Sequence, residues 1–141
     1  MFPGYNTHII LKIDWSELDL FGHVNNVAFF KYIQAARVNY CESIGLTSIN
    51  EKNKLSFIVV STNCTFKIPL QYPGSVKIYS KTEWIKNSSF QLAHLIVDDK
   101  ENVVAESLDT VVVFDYDKKS KVNMSNELKK TIETLENRVL S

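Results

Sequence analysis

The stretch Asp19-Leu20-Phe21-Gly22-His23-Val24-Asn25-Asn26 decides how this chain is interpreted. It sets a carboxylate, an imidazole and two amides within eight residues, between a strand-like segment and a long helix-like segment. A loop that feeds a helix can aim side chains and free backbone N–H groups at one small volume. Sites for acyl transfer are commonly built in this way. The stretch therefore predicts a reaction site at the start of a helix.

The segment after this stretch predicts a helix from Val27 to about Ile44, because it contains no glycine or proline. Its apolar side chains recur at steps of three and four residues and form one stripe. The stripe consists of Phe29, Ile33, Ala36, Tyr40 and Ile44. Asn25 or Asn26 is a suitable N-cap, and Gly45 is a suitable stop. Further apolar residues widen the stripe, which indicates a helix largely surrounded by protein.

Five segments predict β-strands, from alternating polarity or from their β-branched and aromatic residues. The ranges are His8 to Ile13, Leu55 to Ile68, Ser75 to Lys86, Ser89 to Val97 and Asn102 to Phe114. A polar linker precedes the second strand, and a final amphipathic helix is predicted from about Ser125 to Val139. The order is strand, long helix, an antiparallel meander of about four strands, and short helix. It predicts one α+β domain over residues 1–141, in which a curved five-stranded antiparallel sheet wraps a long central helix.

The composition narrows the class of protein. The chain has 16 basic residues (Lys and Arg) and 16 acidic residues (Asp and Glu), so no broad basic field indicates nucleic acid. We expect no membrane span, because no apolar run approaches roughly 18 residues, and no signal peptide at Met1–Gly4. Cys41 and Cys64 match no metal or redox spacing, which favours a cytoplasmic compartment. His8 and His94 lack partners at a ligand spacing, so we expect no metal site.

The motif resembles that of hotdog-fold acyl-CoA thioesterases, in the 4-hydroxybenzoyl-CoA thioesterase branch that includes long-chain acyl-CoA members. The family pattern is an aspartate, three variable positions, His-Val-Asn-Asn and an aromatic-rich helix. The residues that carry the resemblance run from Asp19 through Asn26 and continue with Val27, Ala28, Phe29, Phe30, Tyr32, Ala36 and Arg37. The order of elements is similar over about residues 8–115, and Ile68-Pro69-Leu70 also looks like the family.

The resemblance implies a hotdog fold with an added C-terminal helix. It also implies a homodimer, often paired into a homotetramer, with active sites at the dimer interface. Independently, a five-stranded sheet that wraps a helix leaves open edges, which a second copy would cover. No metal is implied, and no cofactor beyond the CoA or carrier-protein portion of the substrate.

Thioester hydrolysis needs a polarised carbonyl, an activated water or a direct nucleophile, and a departing thiolate. The N–H groups from Gly22 to Val27, beside the positive end of the helix dipole, are the candidates that stabilise the oxyanion. The resemblance assigns the family's catalytic acid to Asp19, which could act as general base or nucleophile. The alternative is that Asp19 only caps the loop or the helix. His23 either takes part in the chemistry or orients the loop.

The candidate substrate-binding residues are Gly22, Asn25, Asn26, Val27, Phe30 and Asn63. Asn25 and Asn26 have an alternative role as helix caps. The resemblance suggests that Asn63 reaches the partner's active site, and the alternative is an ordinary polar interface residue. Phe30 belongs to an aromatic stripe that is mostly core, although one or two of its rings could line an acyl tunnel. Phe21 stands where plant acyl-carrier-protein thioesterases have asparagine, and it cannot hold a water molecule. Asn26 stands where some branches have histidine, and it cannot act as a base. The chemistry is therefore expected to depend on Asp19.

These observations predict a cytoplasmic acyl-CoA thioesterase that hydrolyses an acyl or aroyl thioester to the free acid and CoA. The first alternative is a non-catalytic hotdog module that binds acyl-CoA or acyl-carrier protein. The poised carboxylate of Asp19 argues against it, because binding alone needs none. A structural or regulatory dimer, and a hotdog dehydratase, are further alternatives.

Overall fold

The computed structural model describes residues 2–47 and 54–140. The strands are β1 (Thr7–Lys12), β2 (Leu55–Phe66), β3 (Ser75–Ile85), β4 (Ser89–Val97), β5 (Val103–Asp115) and β6 (Ser120–Lys121), and the helices are α1 (Asn26–Ser43) and α2 (Asn126–Glu136). Every predicted strand and helix is present, with ends shifted by at most three residues. The two-residue strand β6 was not predicted, and the predicted polar linker before β2 lies partly outside the described residues.

Helix α1 begins and ends where the local sequence predicts. The side chain of Asn25 accepts a hydrogen bond from the N–H of Ala28 at 2.9 Å, so Asn25 is the N-cap. Gly45 follows the C-cap residue Ile44 with a φ of +82°, a left-handed conformation that glycine adopts without steric cost. The buried face consists of Ala28, Phe29, Tyr32, Ile33, Ala36, Arg37, Tyr40 and Cys41.

The strands form one antiparallel sheet in the order β1-β3-β4-β5-β2. Only β3, β4 and β5 form a meander, so the prediction of a four-strand meander was wrong for β2, which pairs with β5 at the far edge. Because β2 and β3 are not neighbours in the sheet, the connection between them is not a tight hairpin. It passes beside residues 19–25, which we call the motif loop. There the N–H of Val24 donates to the carbonyl oxygen of Leu70 at 2.8 Å.

Two apolar clusters on the inner face of the sheet make the core. The first surrounds the N-terminal half of α1 and includes Phe29 and Ile33. The second surrounds its C-terminal half and includes Tyr40, together with Ile132 of α2. Helix α2 therefore closes the end of the sheet that lies away from the motif loop. Among residues 2–47 and 54–140, no helix is long and apolar enough to cross a membrane.

Candidate active site

Asp19 shapes the motif loop with only one of its carboxylate oxygens. Its Oδ1 accepts hydrogen bonds from the N–H groups of Phe21 (2.8 Å) and His23 (3.1 Å). The turn is closed by the N–H of Gly22, which donates to the carbonyl oxygen of Asp19, and Gly22 takes a φ of +80°. The Oδ2 atom makes no hydrogen bond with any residue in 2–47 or 54–140. The predicted loop-capping role is therefore real, and it leaves one oxygen available.

Asp19, His23 and Asn26 meet at a cleft of about 320 Å³. The remaining walls are Val24, Phe29, Phe66, Lys67, Ile68, Pro69 and Leu70. The cleft is thus built from the motif loop, the first turns of α1, and the end of β2 with the chain that follows it. The half-buried ring of His23 hydrogen-bonds to nothing within the described part of the chain. An exposed carboxylate and an imidazole accordingly stand beside an apolar wall.

The start of α1 leaves two backbone donors free beside this cleft. The N–H groups from Gly22 to Asn25 all donate to protein oxygens, and that of Ala28 donates to the Asn25 side chain. The N–H groups of Asn26 and Val27 have no acceptor within the helix. Neither donates to another described residue. Of the donors that the sequence suggested, these two remain available to an anion, at the positive end of the helix dipole.

Glu17 anchors the motif loop to α1, and sequence reasoning did not identify it. Its buried carboxylate accepts hydrogen bonds from the hydroxyl of Tyr32 (2.7 Å), the N–H of Asp14 (3.0 Å) and Nζ of Lys31 (3.2 Å). Burial raises the pKa of Glu17, but these hydrogen bonds outweigh it and hold the pKa below its usual value. The pattern Asp-x-x-Glu at residues 14–17 forms a capping box. This local sequence pattern could have identified Glu17 from the sequence.

Of the predicted substrate-binding residues, only Asn26 is among the cleft walls, and Gly22 shapes the turn of the motif loop instead. Asn25 serves as the helix cap. Val27 and Phe30 expose 78% and 38% of their surface, so Phe30 is not a fully buried core residue. The backbone N–H of Val27 nevertheless belongs to the free pair at the helix start.

Asn63 is also remote from the cleft within one protomer. The ring of Phe66 contacts the ring of Phe29 on α1 at 5.1 Å, so alternation along β2 turns Asn63 to the opposite face of the sheet. There its Oδ1 accepts the N–H of Leu108 at 3.2 Å. The expected approach of Asn63 to a partner's active site stays a prediction.

A second Asp–His group lies in the core between the sheet and α1. The ring of His94 hydrogen-bonds to Oγ of Ser80 and to Oδ2 of Asp109, both at 2.8 Å. Arg37 donates from Nε to the same Oδ2 at 2.9 Å, and Thr62 donates from Oγ1 to Oδ1 at 2.6 Å. We call these five residues the buried polar cluster, although one of them, Thr62 on β2, reaches the surface. Burial raises the pKa of Asp109, but its hydrogen bonds and the charged neighbours lower it overall.

The buried polar cluster has the residue types of a Ser-His-Asp triad without the access that catalysis needs. Ser80, His94 and Asp109 are each at most 1% exposed. Both oxygens of Asp109 are already hydrogen-bonded. We therefore assign this cluster to structure rather than to the site.

The two cysteines are unpaired, and neither is a poised nucleophile. Burial raises the pKa of the Cys41 thiol to about 12 and that of Cys64 to about 11. Within residues 2–47 and 54–140, no three His, Cys, Asp or Glu side chains are grouped so that they could hold a metal ion.

Comparison with known proteins identifies the fold and the family of the chain. YsmA of Bacillus subtilis, an uncharacterized protein, is 30% identical over 126 residues, which cover 86% of this chain and 82% of YsmA. The long-chain acyl-CoA thioesterase FadM of Escherichia coli is 25% identical over 126 residues, which cover 89% of this chain and 96% of FadM. A thioesterase of Thermus thermophilus, solved with coenzyme A and Zn, superposes with a TM-score of 0.86 at 23% identity, covering 99% of this chain and 100% of that one.

These likenesses confirm two expectations: the α+β hotdog fold and the assignment to the thioesterases. A family model described as the Thioesterase-like superfamily matches residues 13–132. The matched segment contains the motif loop, α1 and all the long strands except β1. The chain belongs to the thioesterase-like superfamily.

Proposed function

We propose that this protein hydrolyses acyl-CoA thioesters at the Asp19 cleft, releasing the free acid and CoA. One observation carries the proposal: a carboxylate without a partner for one oxygen among the described residues and the free N–H of Asn26 border the same apolar-walled cleft, and the free N–H of Val27 follows in the first turn of the same helix. The name of FadM, a long-chain acyl-CoA thioesterase, supports CoA as the thiol portion of the substrate.

The proposed reaction begins with the thioester carbonyl oxygen at the N–H groups of Asn26 and Val27. These donors and the helix dipole stabilise the negative charge that develops on that oxygen. Asp19 then acts in one of two ways. As a general base, its Oδ2 takes a proton from a water molecule whose oxygen attacks the carbonyl carbon. As a nucleophile, Oδ2 attacks that carbon itself, and water later hydrolyses the resulting anhydride.

In both mechanisms the carbon–sulfur bond breaks and CoA leaves as a thiolate. Thiolates are good leaving groups, so no strong general acid is required. His23 borders the cleft with a ring that is free to contact the substrate, and we assign it a positioning or proton-carrying role. We propose that no cofactor is needed beyond the CoA or carrier portion of the substrate.

The experiment is hydrolysis of a panel of aliphatic and aromatic acyl-CoAs by the wild-type protein, followed through release of free thiol. We expect turnover with at least one class of acyl-CoA. Calorimetry with the same compounds provides the second readout. If acyl-CoA binds and none of the panel is hydrolysed, the protein is a binding module and the proposed function is wrong.

We also propose that the protein is a homodimer joined along β2. This strand is 12 residues long and contains no charged residue, and among the described strands it pairs only with β5. Edge strands of monomers are usually protected by charges, prolines or short length, and β2 has none of these. The end of β2 also walls the cleft, so a second copy on this edge would lie beside the site.

The oligomeric state can be tested by sedimentation with a charged substitution on the edge. Val60 of β2 is 59% exposed, and Val60→Lys introduces an unpaired charge there. We expect the wild type to be at least dimeric at micromolar concentration and Val60→Lys to dissociate. Val139→Lys, at an 82% exposed position beyond α2, is the matched control and should leave the oligomer intact. A stable monomeric wild type with full activity would contradict the dimer.

We further propose a cytoplasmic location, and for this the support is chemical. Both cysteines are free in the fold. Unpaired cysteines are typical of reducing compartments. Fractionation of cells that produce the protein would test the location.

A further inference from the structure

Helix α1 carries two buried tyrosines, and each donates its hydroxyl to a buried glutamate from another part of the chain. Tyr32 donates to Oε1 of Glu17 at 2.7 Å, and Tyr40 donates to Oε2 of Glu136 at 2.5 Å. All four residues are at most 8% exposed. The two tyrosines are eight residues apart, which corresponds to about 12 Å along the helix axis. The same kind of bond therefore occurs once in each half of α1.

The bond in the N-terminal half involves a residue that is tied to α1 at two points. The carboxylate of Glu17 binds Tyr32 in the second turn of the helix. The carbonyl oxygen of Glu17 accepts the N–H of Asn25, the N-cap of the same helix, at 2.8 Å. The main chain and the side chain of Glu17 thus fix one end of the motif loop against both the start and the side of α1.

The motif loop transmits this attachment to the proposed reacting groups. Asp19 follows Glu17 by two residues, and its N–H donates to the carbonyl oxygen of His23 at 2.7 Å, which closes the loop on itself. The bond between Glu17 and Asn25 lies at the base of the closed loop. Asn26, whose N–H is free, comes directly after that base. The place of the Asp19 carboxylate relative to this N–H therefore depends on how Glu17 is held.

We propose that Glu17 is a positioning residue of the acyl-CoA site, which acts by holding Asp19 in place relative to the N–H of Asn26. Its attachment point on α1 is the hydroxyl of Tyr32. Glu17 is not among the residues that line the cleft, so it does not touch the substrate. A displacement of about 1 Å between reacting groups can lower a rate on the order of a hundredfold. This role rests on the proposed function of the same cleft.

The bond in the C-terminal half of α1 provides a control with the same chemistry. Glu136 is the last residue of α2, and its Oε2 also accepts the N–H of Thr82 on β3 at 3.0 Å. These residues belong to the end of the sheet that lies away from the motif loop. Loss of the Tyr40 hydroxyl should therefore weaken the fold without moving the proposed reacting groups.

The first test compares Tyr32→Phe with Tyr40→Phe, each of which removes one hydroxyl. We expect each variant to lower the melting temperature by about 4 °C, because each loses one buried hydrogen bond. Tyr32→Phe should also lower kcat at least about tenfold, with KM within about threefold of the wild type, since the cleft walls remain. Tyr40→Phe should keep the kcat of the wild type.

Two results of this comparison would overturn the positioning role. One is a folded Tyr32→Phe with the kcat of the wild type, which would leave Glu17 as a structural residue only. The other is an equal loss of kcat in both variants, which would show a general effect of destabilisation. If the wild type hydrolyses no acyl-CoA at all, the proposed function fails, and the positioning role fails with it.

Amide hydrogen exchange measures the attachment without turnover. The N–H of Asn25 is protected by its bond to the carbonyl oxygen of Glu17. We expect this N–H to exchange at least about tenfold faster in Tyr32→Phe and at the wild-type rate in Tyr40→Phe. Unchanged exchange at Asn25 in a Tyr32→Phe variant with reduced kcat would contradict the proposed route through the motif loop.

The last test separates the hydrogen bond of Glu17 from its charge. Oε1 accepts from both Tyr32 and Asp14, whereas Lys31, with a 72% exposed side chain, pairs with Oε2. Glu17→Gln keeps an oxygen for the first two donors and should retain kcat within about threefold, as should Lys31→Ala. Glu17→Ala should lose at least about tenfold in kcat. An equal loss in Glu17→Gln and Tyr32→Phe, or full kcat in Glu17→Ala, would overturn the proposal. If Glu17→Ala does not fold, Glu17→Gln and the two tyrosine variants decide the question.

Discussion

The chain contains two pairs of aspartate and histidine, and they differ in how their hydrogen-bonding atoms are used. Asp19 and His23 lie at the surface, where one oxygen of Asp19 shapes the loop and the other has no partner among the described residues. Asp109 and His94 lie in the core, where every hydrogen-bonding atom of both side chains has a protein partner. The same residue types thus border a cleft at the N-terminal end of α1 and form a buried hydrogen-bonded cluster beneath the middle of the helix.

The difference teaches that spare hydrogen-bonding capacity and access identify a site better than residue composition does. The buried group, with Ser80 on the far side of His94, has the order of a hydrolytic triad. A substrate carbonyl has no path to it, since these side chains are at most 1% exposed. Asp19 looks like an ordinary loop cap, yet its second oxygen has no partner among the described residues, and Asp19 lines the same cleft as Asn26 at the start of α1. Substitutions at the two places should therefore have opposite consequences.

Asp109→Ala should have the largest effect of the variants, and the effect should be on folding. It leaves the buried guanidinium of Arg37 and the ring of His94 without their carboxylate partner. Breaking one partner of a buried ion pair typically costs about 3–5 kcal/mol. Urea denaturation of wild type and variant measures this loss. A loss below about 1 kcal/mol would mean that these groups are not paired as described here.

His23→Ala should have a smaller effect, and the effect should be on turnover. If the ring positions the substrate or the loop, kcat/KM should fall about tenfold. The melting temperature should barely move, because the His23 ring makes no hydrogen bond within the described residues. Steady-state kinetics beside a thermal melt separates the two quantities. A folded variant with full activity would remove His23 from the site.

Ser80→Ala should have the smallest effect. It removes one buried hydrogen bond to His94, for a cost of about 1 kcal/mol in the free energy of unfolding. The variant should keep the kcat of the wild type, because no substrate reaches this position. If kcat instead falls by orders of magnitude in a folded protein, the buried cluster is catalytic and the contrast drawn here is wrong.

Local chemistry explains which parts of the structure were predictable. The cap at Asn25, the stop at Gly45 and the strand ends follow from rules that act over a few residues, and the structure confirms them. The pairing of β2 with β5 was missed because strand order depends on contacts between residues distant in sequence. His94 was treated as a lone strand histidine for the same reason, since its partner Asp109 lies 15 positions further along the chain.

The site was predictable only in part. The motif identified Asp19, His23 and the helix start, because these are adjacent in sequence. The opposite wall, at Phe66 to Leu70, comes from the end of β2 and its connection, and no local pattern links it to the motif. The sequence also left the donors undecided from Gly22 to Val27. Only the hydrogen-bond partners in the folded loop reduce them to Asn26 and Val27.

The turnover of Asp19→Asn tests the central claim most directly. An asparagine keeps Oδ1, so it can still accept the N–H groups of Phe21 and His23 and preserve the loop. It loses only the basicity and nucleophilicity of the free oxygen. We predict that kcat for acyl-CoA falls at least roughly a hundredfold, while acyl-CoA affinity and melting temperature stay close to those of the wild type. Near-full turnover in Asp19→Asn would contradict the assignment of Asp19 as base or nucleophile and would leave it only as the cap of the loop.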